Sequence, residues 1–198
     1  MKLVYINIGR SSVFESQVLS LLNYYDRKQI FEEVILLFGY QKEEDKNWLI
    51  EKNRDKLTII FFKAHPNYIF YNHRNKKSLC QALDKIDQSF QNYFFHIRTE
   101  LTSFIFKKCT KKLRIDHSKV LTDVRGASIQ EVKEYYATKP FLKPFKLINY
   151  ELALKDLKKD RHISAVSNSL KNHLMAAVEI DKNLIQVNPC LISDEFSY

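Results

Sequence analysis

The sequence predicts an α/β fold: one Rossmann-like domain with a mostly parallel sheet of about seven strands and helices on both faces. Short apolar runs of strand length alternate along the chain with segments whose apolar residues recur at helical spacing. Only three glycines and four prolines occur, which disfavours a turn-rich all-β fold. The 198 residues suit one domain with a sizeable core and are too few for two full α/β domains.

The first predicted unit is a strand, a loop and a helix. Residues 3–8 form the apolar run, and residues 14–25 carry apolar side chains at helical spacing. The loop between them consists of Gly9, Arg10, Ser11 and Ser12. It has one glycine where the dinucleotide fingerprint GxGxxG needs three, and it lacks the GK[ST] of a P-loop, so neither motif is present.

The rest of the chain repeats this alternation, which indicates right-handed βαβ units. Further strands are predicted at 33–38, 56–62, 92–98, 120–124, 162–166 and 183–187. Helical segments are predicted around 48–53, 78–86, 101–108, from 128 onward, 150–160 and 169–178. Pro140 and Pro144 predict a loop inside the domain.

The composition indicates a globular protein with an anionic partner. Apolar residues make up 45% of the chain, which excludes a disordered polypeptide. A net charge of +9 favours contact with nucleic acid, a phospholipid surface or a phosphorylated small molecule. The densest basic cluster is Lys107, Lys108, Lys111, Lys112 and Arg114. A solvated helix face explains such a run more often than a binding patch does.

The cysteines and the N-terminus favour a cytoplasmic protein. Cys80, Cys109 and Cys190 are odd in number, widely spaced and without a CxxC, so neither a disulfide framework nor a zinc site is predicted. The first apolar run is too short for a signal peptide, and no stretch reaches transmembrane length. Membrane contact is therefore expected only as peripheral binding at the inner face.

One stretch combines a strand, a charged turn and the start of a helix. Asp123, Arg125 and Gly126 end the strand predicted at 120–124, and Ser128 with Glu131 matches a capping box. This order of elements is typical of the carboxyl edge of an open α/β sheet, where such sheets bind ligands. Asp123 is equally compatible with a cap on the loop, and Arg125 with an internal salt bridge.

A second pair of polar residues ends the neighbouring predicted strand. His96 and Arg98 are two residues apart, so both side chains face the same side of the sheet and reach one crevice. A purely structural role is the alternative. We expect His96 and Arg98 to gather with Asp123 and Arg125 into a shared hollow.

Five features carry a family resemblance. They are the loop Gly9-Arg10-Ser11-Ser12, the strand end His96-Ile97-Arg98, the turn Asp123-Val124-Arg125-Gly126 with Glu131, the segment Ala165-Val166-Ser167-Asn168-Ser169-Leu170-Lys171, and Asn188-Pro189-Cys190 followed by Phe196. Together they resemble the N-terminal half of a two-domain, family-4 glycosyltransferase of the GT-B fold, over essentially the whole chain. Many members carry a histidine at the end of the fifth strand, where this chain has Asp-Val-Arg-Gly.

The resemblance implies that residues 1–198 form an acceptor-binding domain. The nucleotide-sugar donor would be bound mainly by a C-terminal domain that this chain lacks, so the chain alone is expected to be inactive. Glycosyl transfer needs a hydrogen-bond acceptor near the attacking hydroxyl, and Asp123 is the candidate for this catalytic carboxylate. It also needs cations or N–H groups near the departing phosphate, and the candidate acceptor-binding residues are Gly9, Arg10, Ser11, Ser12, His96, Arg98, Arg125 and Gly126. Ser167 is expected only to cap a helix.

The resemblance implies two partners, which are a glycan or lipid-linked sugar acceptor in cell-surface polysaccharide synthesis and the protein's own donor domain. An anionic membrane surface is a candidate third partner, and it is suggested by the basic and aromatic residues of the chain. The aromatic and basic stretch 68–77 could rest on lipid headgroups, although packing in the core is the more common role for such aromatics. No cofactor in this domain, no metal and no nucleic acid are expected.

An alternative function is a non-catalytic Rossmann-like module that binds a phosphorylated ligand or nucleic acid through its positive charge. The chain shows no RNP sequence or OB pattern, which disfavours nucleic acid. An oxidoreductase is disfavoured by the missing glycine fingerprint.

Overall fold

The computed structural model describes residues 1–53, 57–86, 90–135 and 141–189. Its seven strands are β1 (Lys2–Ile8), β2 (Val34–Tyr40), β3 (Thr58–Lys63), β4 (Tyr93–Arg98), β5 (Val120–Val124), β6 (His162–Ala165) and β7 (Ile185–Val187). They form one parallel sheet in the order β3-β2-β1-β4-β5-β6-β7. The predicted single α/β domain with a Rossmann-like sheet is confirmed.

Seven α-helices connect the strands: α1 (Ser20–Arg27), α2 (Glu43–Lys52), α3 (Asn72–Leu83), α4 (Glu100–Leu113), α5 (Ser128–Tyr135), α6 (Lys143–Asp156) and α7 (Asn168–Val178). A π-helical turn, Glu15–Leu19, runs directly into α1. Several bounds differ from the predicted ones. Helices α2 and α3 begin earlier because charged and polar residues in their first turns hide the apolar spacing.

The largest correction concerns α6, which the sequence predicts only from residue 150. The helix begins at Lys143, and Pro144 lies in its first turn, where a proline loses no intrahelical hydrogen bond. Pro144 therefore starts a helix and does not mark a loop, while Pro140 lies outside the described residues. The second strand also continues beyond its predicted end at residue 38, so Gly39 lies within β2.

Two apolar layers enclose the sheet. On one face, Leu3 and Leu36 pack with Leu22 and the residues of the π-helical turn. On the other face, Val4 and Phe95 pack with the helices that follow β3 and β4. Strand β1 is buried on both faces, which explains its continuous apolar run.

The pairing of the cysteines differs from the prediction that no disulfide forms. The sulfur atoms of Cys80 on α3 and Cys109 on α4 lie at bonding distance, and the two residues are paired as a disulfide. The sequence spacing of 29 residues hides this pair because it arises from the packing of two helices. Cys190 lies outside the described residues.

Candidate functional site

An open cleft of about 430 Å³ lies at the carboxyl edge of the sheet, where β1 and β4 are neighbours. Its walls are formed by Asn7, Ile8, Gly9, Arg10, Ser11, Gln41, Lys42, Asp45, Asn67, Arg98 and Thr99. The chain leaves β1 in one direction, towards β2 and β3, and returns to β4 on the other side. Such a switch point is where open α/β sheets bind ligands.

The loop after β1 forms one wall of this cleft. Gly9 has φ of +82°, a left-handed conformation that favours glycine, and its N–H donates to the Gly39 carbonyl at 2.7 Å. Arg10 stacks 4.0 Å from the Trp48 ring centroid and lies 4.0 Å from Asp45. Gly9, Arg10 and Ser11 line the cleft, and their contact with an acceptor stays a prediction. Ser12 is exposed outside the cleft.

A polar cluster lies beside the cleft on the same face of the sheet. Tyr5 of β1 is in register with His96 of β4, and Arg98 of β4 with Asp123 of β5. These four residues, the polar cluster, are between 0% and 7% exposed. Arg98 is the member that also lines the cleft.

Asp123 is the carboxylate of the polar cluster, and its side chain lies next to cationic groups. Arg125 donates from Nε to Oδ2 of Asp123 at 2.5 Å. His96 Nε2 lies 3.5 Å from the same oxygen, which is longer than a normal hydrogen bond. Arg98 donates from Nη2 to Oε1 of Gln17 at 2.9 Å. The structure thus brings together the four residues predicted to share a hollow, although only Arg98 reaches the cleft wall.

Burial and charge act in opposite directions on the titrating groups. Burial alone raises the pKa of a carboxyl, but the polar contact with His96 and the positive charges of His96 and Arg125 hold the pKa of Asp123 below its ordinary value. Burial raises the pKa of Tyr5 to about 12. At neutral pH, Asp123 is therefore an anion and Tyr5 a neutral hydrogen-bond donor.

Several atoms of the polar cluster are buried without a hydrogen-bond partner. They are the Tyr5 hydroxyl, His96 Nε2, Arg98 Nη1 and Asp123 Oδ1. Buried polar atoms are nearly always paired, because leaving one unpaired costs about 1–3 kcal/mol. Four such atoms on three adjacent strands are a feature that stability alone does not explain.

Thr99, at the same edge of the sheet, has an unusual backbone conformation. It has φ of 73° and ψ of 147°, a region that is essentially restricted to glycine, although threonine is β-branched. Its N–H donates to the Asp123 carbonyl at 2.8 Å, and its hydroxyl accepts from the N–H of Thr102 at 3.3 Å. The strained residue is therefore held by β5 and by the first turn of α4, and it lines the cleft.

The turn after β5 is built differently from the prediction. Helix α5 begins at Ser128 itself, so Ser128 is a helical residue, and its hydroxyl hydrogen-bonds the carboxyl of Glu100. Glu100 is 3% exposed, and burial raises its pKa. The Glu131 carboxyl folds over Gly126, which does not line the cleft. Ser167 does cap α7, since its Oγ accepts from the N–H of Leu170 at 3.1 Å.

A second concave region lies at the opposite, amino edge of the sheet. It has a volume of about 670 Å³ and is lined by Lys76, Phe104, Lys107, Lys108, Thr110, His117, Asp156, Lys159 and Arg161. This basic groove includes part of the lysine cluster noted in the sequence. The side chains of Lys111 and Lys112 lie outside the described residues.

Behind the basic groove lies a second buried carboxylate, Asp160. Its Oδ2 accepts from the hydroxyls of Thr122 at 2.8 Å and Ser103 at 3.3 Å, and its Oδ1 accepts from Lys107 Nζ at 2.6 Å. Lys107 also lies 2.8 Å from Asp156. Both oxygens of Asp160 are therefore satisfied by the protein itself.

Two further observations concern metals and membranes. Within residues 1–53, 57–86, 90–135 and 141–189, no group of three or more His, Cys, Asp or Glu side chains is placed to hold a metal ion. In the same ranges, no helix has the length and apolar character needed to cross a bilayer.

Comparison with known proteins supports the fold. The chain is similar to a solved structure described as the glycotransferase of kitacinnamycin, with a TM-score of 0.52 and 7% sequence identity. The match covers 100% of this chain and 53% of that one, so the chain spans about half of its length. No family model matches, and no curated protein matches. The comparison therefore shows a shared α/β fold.

Sequence reasoning missed part of the site. Tyr5 is hidden inside an apolar strand, although its spacing from Asn7 places both on one face. Lys42, Asp45 and Asn67 line the cleft because β2 ends beside β1 and β3 ends beside β2. The strain at Thr99 has no sequence signal, because nothing in its type predicts a positive φ.

Proposed function

We propose that this chain is the acceptor-binding half of a glycosyltransferase that takes a sugar from a nucleotide-sugar donor. The acceptor would be a glycan or lipid-linked sugar of cell-surface polysaccharide synthesis. The donor would be bound mainly by a further domain of the parent protein. The observation that carries this proposal is the set of unpartnered buried polar atoms directly beside a cleft at the switch point.

The chemistry of glycosyl transfer suits this arrangement. An attacking hydroxyl needs a hydrogen-bond acceptor, and a departing diphosphate needs cations or N–H groups. Arg98 and Arg10 supply positive charge to the cleft, and the loop after β1 supplies backbone polar groups. These residues would contact the acceptor and the donor phosphates.

Asp123 would act within this site mainly as a positioning residue. It is 1% exposed and holds Arg125 by a hydrogen bond, while Arg98 is its register partner on β4. Its negative charge stabilises the cations next to the cleft in one arrangement. A proton transfer from the acceptor to Asp123 would require its unpartnered Oδ1 to become accessible.

A second candidate function has its own supporting observation. The basic groove at the amino edge presents Lys76, Lys108 and Arg161, and burial lowers the pKa of Lys108. A non-catalytic module that binds a phosphorylated ligand or nucleic acid would use this groove.

Amide chemical-shift mapping of the 198-residue chain distinguishes the two functions. We expect methyl glycosides of glucose, galactose and mannose, tested in turn, to include one that shifts the signals of Gly9, Arg98 and Thr99. The Arg98→Gln variant should lose these shifts, and the matched Arg161→Gln variant should keep them. Shifts confined to Lys108 and Arg161, obtained only with inorganic phosphate or a short oligonucleotide, would favour the module. An absence of shifts with every sugar would contradict the acceptor site.

A further inference from the structure

Helix α6 exposes an unusual amount of apolar surface. Phe141 is 90% exposed, and Phe145, Ile148 and Leu152 follow it at helical spacing with 45%, 44% and 41% exposure. Phe70, which is 53% exposed, packs edge-on against Phe145 with ring centroids 5.8 Å apart. We call these five side chains the apolar surface. Phe145, Ile148 and Leu152 lie along one side of α6, and Phe141 lies just before the helix begins at Lys143.

The apolar surface is bordered by tyrosines and cations. Tyr68 stacks on Phe70, and the phenols of Tyr68 and Tyr135 both act on the pKa of Lys146, so they lie around that lysine. The Arg74 guanidinium lies 5.7 Å from the Tyr71 ring centroid. Phenylalanine at the centre with tyrosine and cations at the rim is the pattern of a protein that enters the headgroup region of a bilayer.

Charge supports an anionic lipid as the occupant. Helix α6 carries Lys143, Lys146 and Lys155 against Glu151 and Asp156, and Asp156 is paired with Lys107 of α4. The whole chain carries +9. Each cation near an anionic membrane surface strengthens the attraction to it.

A second copy of the chain is a poorer occupant. The five side chains expose on the order of 500 Å², given that a buried aromatic covers roughly 150–250 Å², whereas a stable dimer buries about 800 Å² per partner. Two chains that each carry +9 also repel one another. An apolar patch of about 300–600 Å² is the size that monomeric proteins use for function.

We propose that the apolar surface docks this protein on an anionic lipid bilayer. The sequence placed the lipid contact in residues 68–77; the structure adds the exposed stripe of α6 to it. Asn67 connects this surface to the cleft: it lines the cleft, donates to the Tyr150 hydroxyl at 3.2 Å, and accepts at its carbonyl from Asn149 at 3.2 Å. If the proposed function holds, a lipid-linked acceptor in the bilayer would lie next to its cleft.

Co-sedimentation with vesicles tests the proposal without any sugar transfer. Vesicles of phosphatidylcholine with 30 mol% phosphatidylglycerol should bind the 198-residue chain at low salt, and vesicles of phosphatidylcholine alone should bind it at least tenfold more weakly. The double variant Phe141→Ser with Phe145→Ser should bind anionic vesicles at least tenfold more weakly. Ile50→Ser is the matched control, because Ile50 is 54% exposed and lies on α2, outside the apolar surface. This variant should bind anionic vesicles as the parent chain does.

Three results would overturn the proposal. They are no binding of the parent chain to anionic vesicles at low salt, equal binding by the double variant, and a dimer in sedimentation velocity that the double variant dissociates. Thermal melting followed by circular dichroism checks that both variants fold. Because the readout is lipid binding alone, its failure leaves the sugar mapping of the cleft unaffected.

Discussion

Two buried carboxylates, one at each edge of the sheet, show how differently the same chemical group is used in this fold. Asp160 at the amino edge has both oxygens paired with Thr122, Ser103 and Lys107. Asp123 at the carboxyl edge has one oxygen that accepts from Arg125, with His96 3.5 Å away, and its other oxygen has no partner. The satisfied carboxylate links neighbouring elements of the fold, and the partly satisfied one is the carboxylate that we propose to serve the cleft.

The comparison also separates charge density from function. The basic groove has more cations than the cleft, yet Lys107 and Lys159 in it are ion paired with Asp156. The cleft has fewer cations, but Arg98 retains an unpartnered Nη1 beside the strained Thr99. Unsatisfied polar groups and backbone strain therefore favour the carboxyl edge as the site of the proposed function, although the amino edge has more lysines.

The largest effect on stability is expected from removing the satisfied carboxylate. Asp160→Ala should lower the free energy of unfolding by about 1.5–3 kcal/mol, because it removes the charge-assisted hydrogen bond from Lys107 and the hydrogen bonds from the two hydroxyls. Lys107 keeps its contact with Asp156, and the two hydroxyls keep the hydrogen bond between them. Asp123→Ala should cost less, since Oδ1 has no partner to lose. Urea denaturation of both variants measures this difference. A larger loss for Asp123→Ala would reverse the comparison.

The cleft cation should matter for the acceptor, and the groove cation should not. Arg98→Gln should raise KM for the acceptor about tenfold in the parent protein, because a charge-assisted hydrogen bond contributes about 1.5–3 kcal/mol. Arg161→Gln, which removes a cation from the basic groove, should leave KM unchanged. Initial-rate kinetics with varied acceptor concentration measure both KM values. Equal effects of the two substitutions would show that the cleft has no special role in acceptor binding.

The two carboxyls beside β5 should respond to pH with opposite sign. The pKa of Asp123 is held below 3.8, so its contribution to stability is present above pH 4 and is lost as pH falls further. The pKa of Glu100 is raised above 4.5, so its contribution is present below that pH and is lost as pH rises. Asp123→Asn should flatten the acid side of the stability curve, and Glu100→Gln should stabilise the chain at neutral pH.

Urea midpoints measured from pH 3 to pH 8 test this pair of signs. A Glu100→Gln variant that is less stable than the parent at pH 7 would show that the Glu100 carboxylate is stabilised by groups other than those seen here. An unchanged acid limb in Asp123→Asn would show that Asp123 does not titrate below its ordinary range.

Much of the fold could be predicted because the apolar runs of the strands are continuous where both faces are buried, as in β1 and β2. The start of α6 could not be predicted, because a proline such as Pro144 is compatible both with a loop and with the first turn of a helix, and the structure has it in a helix. In the site, the grouping of His96 with Asp123 followed from the parallel register of β4 and β5. Asn67 and Thr99 could not be found, since their roles depend on tertiary neighbours and on backbone strain.

The smallest effect is expected at the glycines of the two turns. Gly9→Ala should cost about 1–2 kcal/mol, because the residue has a positive φ and an added Cβ meets only Gln41 at 3.9 Å. Gly126→Ala should cost less, since the obstacle there is the flexible end of Glu131. Equal losses in thermal unfolding would indicate that the conformation of the loop after β1 is not specified by Gly9.

The central claim is that the carboxyl-edge cluster serves sugar transfer and the amino-edge carboxylate does not. The most direct test is sugar transfer by the parent protein, followed by mass spectrometry of the acceptor, in the matched variants Asp123→Asn and Asp160→Asn. We predict that Asp123→Asn lowers transfer at least about 100-fold, because the cations next to the cleft lose the charge that positions them. Asp160→Asn, assayed below its melting temperature, should keep transfer within about threefold of the parent rate. Full transfer by Asp123→Asn, or equal losses in both variants, would contradict the account.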